Sequence, residues 1–171
     1  MSQITGRHRV TADAEARGVE IELVDRGPAT SLDEAANNLG IKPKDIVKTL
    51  VARAKLTQTA TEHSYLIALI PGDKQVDWSK LRKLAGMKKL AMASPDEGFA
   101  ATGYSPGTIT VFGAESHDGA QWPIYADASI TGRICMGAGE PELNLFVDTA
   151  TVFAAFGVTT GDITKTLRGD A

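Results

Sequence analysis

One lysine sits where burial is expensive. In "DIVKTLVAR", Asp45 to Arg53, the residues Ile46, Val47, Leu50, Val51 and Ala52 spell a strand entering a core, and Lys48 interrupts them. Lysine is among the side chains least often fully buried. Two readings follow. Either the ammonium snorkels past the strand's end to water, or it points into a pocket and holds a phosphate, carboxylate or carbonyl oxygen. A second stretch with chemical potential is "TGYSPGTITVFG", Thr102 to Gly113, where Gly103, Gly107 and Gly113 bracket Pro106. Glycines let backbone N–H groups come close to a ligand, and such groups can bind an anion or a developing oxyanion. A plain turn running into a strand fits the same letters.

Other chemistries find little support. No G-x-x-x-x-G-K-[ST] run occurs, and "GAGEPE" lacks both the G-x-G-x-x-G spacing and a following helix. His8, His63 and His117 stand far apart in polar segments and read as surface residues, so a zinc site is not expected. The single cysteine, Cys135 in "RICMG", has no base near it in sequence and reads as a small core residue. Ser105 lacks the G-x-S-x-G elbow.

The elements that must position these residues are punctuated clearly. "TADAEARG" predicts a helix capped by Thr11 and stopped by Gly18, followed by the alternating strand "VEIELVD". "TSLDEAANNLG" predicts a helix with a Ser31/Glu34 capping box and a Gly40 stop. "IVKTLVARA" and "YLIALIPG" are strands joined by the polar "KLTQTATEHS", an expected exposed hairpin loop. "DWSKLRKLAG" is a helix between Asp77 and Gly86, and "KKLAMA" is a short strand. "SPDEGFAATG" carries a cap, a Pro at the first helical position and two acids, and ends at Gly103. "YSPGTITVFG" reads as loop and strand, "WPIYAD", "GRICMG" and "ELNLFV" as strands, and a last helix starts at Asp148 or Thr149. This irregular alternation predicts an α+β fold: one domain over residues 1–171 with a central mixed, strongly curved or barrel-like β-sheet flanked by helices.

The 171 residues are 43% hydrophobic and 23% charged, with formal net charge -3 and pI near 5.6. That is an ordinary globular composition and argues against a protein that coats nucleic acid non-specifically. The N-terminus has no apolar signal core, and no run reaches the ~18–20 residues of a spanning helix. The expected location is the cytoplasm, with no membrane association.

Taken in order, the segments from about Thr30 to Gly157 resemble the YbaK/ProX family, aminoacyl-tRNA deacylases related to the editing insertion of bacterial prolyl-tRNA synthetase. "TSLDEAANNLGI" resembles the helix before the family's lysine, and "DIVKTLVAR" its Lys-Thr-Leu strand. "LIALIPGDKQVDWSKLRKLAGMKKLAMASPDE" follows the family in spacing. "TGYSPGTITVFG" resembles its glycine loop, "PIYADASI" the strand carrying an Asp, and "ICMGAG" and "ELNLFV" the closing strands. The resemblance implies hydrolysis of the ester between a wrong amino acid and the terminal adenosine of a tRNA, without metal or other cofactor. Lys48 would hold the phosphates or carbonyl of the aminoacyl-adenosine end, and Gly103 and Gly107 would bring backbone N–H groups to the ester. Thr49, Tyr104, Pro106, Asp127, Gly137 and Glu142 would contact substrate. With no side chain available as a general base, a water positioned by backbone, helped by the substrate's own ribose hydroxyl or side chain, is the expected nucleophile. The implied substrates are Cys-tRNA(Pro) or Ala-tRNA(Pro), or esters of other small amino acids.

Three positions depart from the family. Gly137 stands where members that remove cysteine often carry a small hydroxyl residue, Glu142 replaces an Asp, and Val111 replaces the Pro before the Phe-Gly pair. Cysteine specificity is therefore open, and a non-catalytic member binding aminoacyl-tRNA ends or a synthetase is the alternative. An acceptor end needs only a few phosphate contacts, for which Lys44, Lys48, Arg53 and Lys55 are candidates; Lys80, Arg82, Lys83, Lys88 and Lys89 form a second basic stretch. Prolyl-tRNA synthetase is the expected protein partner.

Overall fold

The computed structural model describes residues 5–55 and 64–167. In chain order, the helices are α1 (Gly6–Arg17), α2 (Leu32–Leu39), α3 (Trp78–Ala85), α4 (Pro95–Thr102) and α5 (Thr149–Phe156). The strands are β1 (Glu22–Asp25), β2 (Val47–Lys55), β3 (Ser64–Pro71), β4 (Lys74–Val76), β5 (Lys89–Met92), β6 (Ile124–Asp127), β7 (Arg133–Gly137), β8 (Leu143–Asp148), β9 (Thr159–Gly161) and β10 (Thr164–Thr166). Among the described residues, no helix is long and apolar enough to cross a membrane.

The layers follow from the strands' alternation. A five-stranded sheet runs β5-β2-β3-β6-β9, antiparallel among the first three strands and parallel from β3 to β9. One face of β2 and β3 presents Val47, Ile67 and Leu69 to a core shared with α1, α5 and the three-stranded sheet β1-β8-β7. The opposite face presents Ala52, Ala54, Leu66, Ala68 and Ile70 to Leu81 of α3, Val76 of β4 and Ile163. Because β3 carries a buried set on both faces, "YLIALI" is continuously apolar instead of alternating.

The expected curled or barrel-like sheet is not what forms: the strands divide into three sheets, none of them closed or strongly curled. The break falls where β2 begins. A 3₁₀ turn at Pro43–Asp45 delivers the chain to Ile46, which makes a single bridge to Cys135 of β7. The Ile46 carbonyl is taken by the Gly72 N–H at 2.7 Å, and from Val47 onward the strand pairs with β3. One residue pair is too little to weld two sheets into a curve.

Gly72 makes this junction. A Cβ there would overlap the Pro43 oxygen and stand 2.9 Å from the Ile46 oxygen, both backbone atoms with little freedom to retreat. Gly72→Ala is expected to cost about 1–3 kcal/mol, read as a lower denaturant midpoint with unchanged slope.

Other departures are local. Helix α1 begins six residues earlier than "TADAEARG" suggests, because Thr5, not Thr11, is its cap and accepts the His8 N–H. Ser31 caps α2, but Glu34 turns to the N–H and hydroxyl of Thr30 instead of closing a box; the complete capping box is Ser94/Glu97 on α4. The stretch after Gly107 stays a loop, its polar groups satisfied one at a time by Gly139 and Met136 instead of by a strand ladder. The expected hairpin loop between β2 and β3 lies mostly outside the described residues, as does His63.

Candidate functional site

The open half of β2 defines a cavity. The strand pairs with β3 along its length, but β5 covers only Ala52 to Lys55. The carbonyls of Val51 and Lys55 accept from Ala93 and Lys88 on the β5 side. Antiparallel alternation therefore aims the Thr49 N–H and C=O at the same, uncovered edge. Beyond that edge lies a cavity of about 300 Å³, lined by Lys48, Thr49, Gly107, Gly137, Glu142 and Arg26 among others.

Lys48 and Thr49 leave the strand on opposite faces. Lys48, half-buried, shares its face with Ile70, and its Nζ donates to the Lys74 carbonyl at 2.6 Å. An ammonium has three protons, so this bond leaves two for a ligand. Burial pushes the Lys48 pKa below the usual lysine value, with Asp73 opposing. The Thr49 hydroxyl is buried and has no hydrogen-bond partner. A buried hydroxyl without a partner costs about 1–3 kcal/mol, and this one stands beside the cavity, where a polar ligand would satisfy it.

The glycine loop is held from the other side of the molecule. Gly103 ends α4 in the left-handed conformation. The Arg9 guanidinium, reaching from α1, donates to the carbonyls of Thr102 (3.1 Å), Gly103 (3.0 Å) and Gly113 (2.6 Å) and lies 4.5 Å over the Tyr104 ring. It fastens both ends of the loop, while Gly107 (φ 84°) at the middle has open space where a Cβ would be.

The far wall comes from β7 and β8. Gly137 pairs with Asn144, and a Cβ on Gly137 would meet the Ile109 carbonyl oxygen at 3.2 Å. The glycine thus lets the end of β7 approach the loop backbone at Thr108 and Ile109 closely. Asn144 is fixed by its Nδ2 bond to the Met136 carbonyl at 3.1 Å. Glu142 adopts φ 64°, a left-handed conformation that side chains rarely take, and its carbonyl accepts the Arg26 N–H at 3.0 Å. The turn brings a carboxylate and a guanidinium to the cavity rim together.

Of the residues singled out from the sequence, Lys48, Thr49, Gly107, Gly137 and Glu142 meet at this cavity. Gly103, Tyr104, Pro106 and Asp127 do not line it. Gly103 is the helix stop, with Arg9 filling the space over it. Tyr104 is buried, its hydroxyl donating to the Phe112 carbonyl at 2.5 Å, and burial pushes its pKa up to about 12. Pro106 is exposed on the loop. Asp127 is buried at the end of β6, where it accepts from the Ile163 N–H (3.1 Å), the Thr164 hydroxyl (3.0 Å) and Ser129. Arg26 and Asn144 line the cavity without any sequence signal, lying in separate segments that share no spacing, while Ile109 comes with the glycine loop.

Among the residues lining this cavity, Glu142 is the one carboxylate. Arg26 and Lys48 are cations, and Glu142 stands at the rim. Cys135 is fully buried, and burial pushes its thiol up to about 12, far from a thiolate. His8 and His117 are exposed. No group of three His, Cys, Asp or Glu among the described residues could hold a metal ion. The arrangement offers two cations, an orphan hydroxyl and the strand's uncovered N–H and C=O groups, which suits an anionic ligand able to hydrogen-bond.

A match to the aminoacyl-tRNA editing domain model covers residues 26–155, from the cavity's Arg26 to α5. The chain belongs to the aminoacyl-tRNA editing domain family. This editing domain is 31% identical to the proline–tRNA ligase of Heliobacterium modesticaldum over 73% of its own length and 20% of the ligase. It is 32% identical to a candidate Cys-tRNA(Pro)/Cys-tRNA(Cys) deacylase of Enterococcus faecalis, over 64% of this chain and 62% of that one. It therefore spans about a fifth of the length of the ligases it matches. In fold, it superposes on a crystal structure described as a candidate trans-editing enzyme for prolyl-tRNA synthetase, with TM-score 0.82 and 23% identity over 96% of this chain and 99% of the other.

Proposed function

We propose that the chain is an aminoacyl-tRNA deacylase that acts in trans, hydrolysing the ester of a small, wrongly attached amino acid, of the Cys-tRNA(Pro) or Ala-tRNA(Pro) type, in the cytoplasm. The observation that carries this is the cavity at the open edge of β2, where Lys48 and the orphaned Thr49 hydroxyl meet the Gly107 loop, in a chain of the editing family.

The residues divide the work. Lys48, with Arg26 on the same cavity lining, holds the phosphate or ester carbonyl of the terminal adenosine. The Thr49 hydroxyl and backbone bind the amino acid or ribose, and loop N–H groups around Gly107 receive the negative charge that develops on the carbonyl oxygen. Water attacks the carbonyl carbon, the bond to the ribose oxygen breaks, and that oxygen takes the proton, releasing free amino acid and intact tRNA. Orientation and charge stabilisation supply most of the rate, and a ribose hydroxyl relays the proton. A panel of tRNAs mischarged with alanine, cysteine, serine and threonine tests the proposal: release from at least one is expected, and binding without release from any would leave a non-catalytic module.

Gly137 supports breadth toward side chains somewhat larger than alanine. Gly137→Ala is expected to lower kcat/KM by about tenfold or more for the largest amino acid the wild type accepts, in line with ~1–3 kcal/mol per methyl-sized group in a pocket. The ratio of kcat/KM between that amino acid and alanine is the readout. Prolyl-tRNA synthetase is the proposed partner that presents the tRNA.

A further inference from the structure

Five cations that stand in separate parts of the sequence converge at the other end of β2. Arg53 and Lys55 of β2, Lys88 and Lys89 at the start of β5, and Arg82 in the last turn of α3 line a groove of about 500 Å³. Among the described residues, only Arg53 has an acidic partner, Glu97 at 3.4 Å. Arg82 has a structural reason for its place, since a cation in a helix's last turn complements the macrodipole. Lys55 and Lys89 have none. They are direct cross-strand partners, and like charges directly opposite one another in a sheet are destabilising. An anion bound between the two would offset that cost.

Alternation ties the groove to the cavity. Arg53 and Lys55 leave β2 on the same face as Thr49, two and three pleats further along. Lys55 is six residues from Thr49, roughly 20 Å at ~3.3 Å per residue. A single strand with its terminal ribose at the β2 edge would carry its preceding phosphates across that distance. On the proposed deacylase activity, we propose that this groove is the track for the phosphate backbone of the tRNA's 3′ end, the RNA running along β2 from Lys55 toward the cavity edge at Thr49. It also reconciles RNA binding with a net charge of -3: the positive charge is gathered locally.

The test compares wild type with Lys89→Glu and with Lys55→Gln/Lys89→Gln. Each protein is assayed for binding to an uncharged acceptor-stem minihelix, for deacylation of mischarged tRNA, and for hydrolysis of the corresponding aminoacyl-adenosine. Lys89→Glu is expected to weaken minihelix binding and kcat/KM on tRNA by 10- to 100-fold and leave aminoacyl-adenosine hydrolysis unchanged. The salt dependence should flatten by about 0.7–0.9 in log–log slope for each phosphate the variant no longer neutralises. The Gln pair falls between. Thermal stability should hold or rise, because the opposed lysines are gone; a residue with only a structural role would not combine these effects. Unchanged minihelix binding and salt slope in both variants overturns the track. So does a loss seen only when prolyl-tRNA synthetase is added, which assigns the groove to an acidic protein face. Wild type releasing no amino acid from either ester defeats the deacylase reading separately, while minihelix binding still decides the groove.

Discussion

Lys48→Met is expected to lower kcat/KM on a mischarged tRNA by about 10²–10³-fold, the ~2.7–4 kcal/mol typical of removing one preorganised electrostatic interaction with a transition state, and to leave the protein at least as stable. The two halves have one cause. The ammonium is half-buried on β2, it donates to the Lys74 carbonyl, and burial lowers its pKa. A cation whose folded-state pKa is depressed opposes folding, so methionine, which keeps the stem's apolar length, removes that cost together with the activity. The sign of the pH dependence follows. Between the lowered folded-state pKa and the ordinary lysine value, the unfolded chain holds a proton that the folded chain has released, so wild-type stability rises with pH across that window. Over the same window, the charged form needed at the cavity disappears, so activity declines at a lower pH than an ordinary lysine would dictate. Lys48→Met should lack both trends. A pH–rate profile beside thermal melts at several pH values checks this.

Asp127→Ala carries the largest stability effect, about 2–4 kcal/mol, seen as a fall in Tm of roughly 10 °C for a chain of this size. The carboxylate is 3% exposed and accepts from Ser129, the Ile163 N–H and the Thr164 hydroxyl, tying the end of β6 to the segment that leads into β10. Ile163 is itself fully buried, so its N–H would be stranded. Burial alone would raise the Asp127 pKa, but the hydrogen bonds from Ser129, Ile163 and Thr164 outweigh it and hold the carboxyl below the usual carboxylate range. Its contribution is therefore full above the unfolded-state value and is lost as pH falls through the folded one. Asp127→Asn, which retains one acceptor oxygen, should fall between, and KM for tRNA should be unaffected where the variants are folded. A change in KM with unchanged Tm would instead return Asp127 to the substrate site expected from the resemblance.

Asp127 illustrates where sequence reasoning stops. In "PIYADASI", the acid is visible but its partners are not, because Ile163 and Thr164 lie 36 and 37 residues on. The same distance problem hides Arg9, whose three carbonyl contacts hold a loop more than 90 residues away. Arg26 and Asn144 reach the cavity from segments with no common period. Local grammar, by contrast, is dependable where one turn decides the outcome: Gly18, Gly40, Gly86, Gly103 and Gly157 all end helices in the left-handed conformation. It fails where two local solutions compete, as at Ser31, whose Glu34 finds Thr30 instead. Sheet closure is not legible, because it depends on how far two strands run side by side, and Ile46 gives β7 only one residue.

Lys48 stands out because its cost is visible: a cation in an apolar strand needs a reason. The structure adds an unsatisfied polar group next to it, the Thr49 hydroxyl, on the opposite face of the same open edge. Together they are the reason for proposing the edge of β2 as the ligand site.

The most direct test of this account is a single-turnover assay of amino acid release from mischarged tRNA(Pro), with wild type and Lys48→Met side by side. Release by the wild type, reduced by about 10²–10³-fold in a variant that melts no lower, is the predicted result. Equal release by both proteins would contradict the assignment of Lys48 and its cavity as the site of hydrolysis.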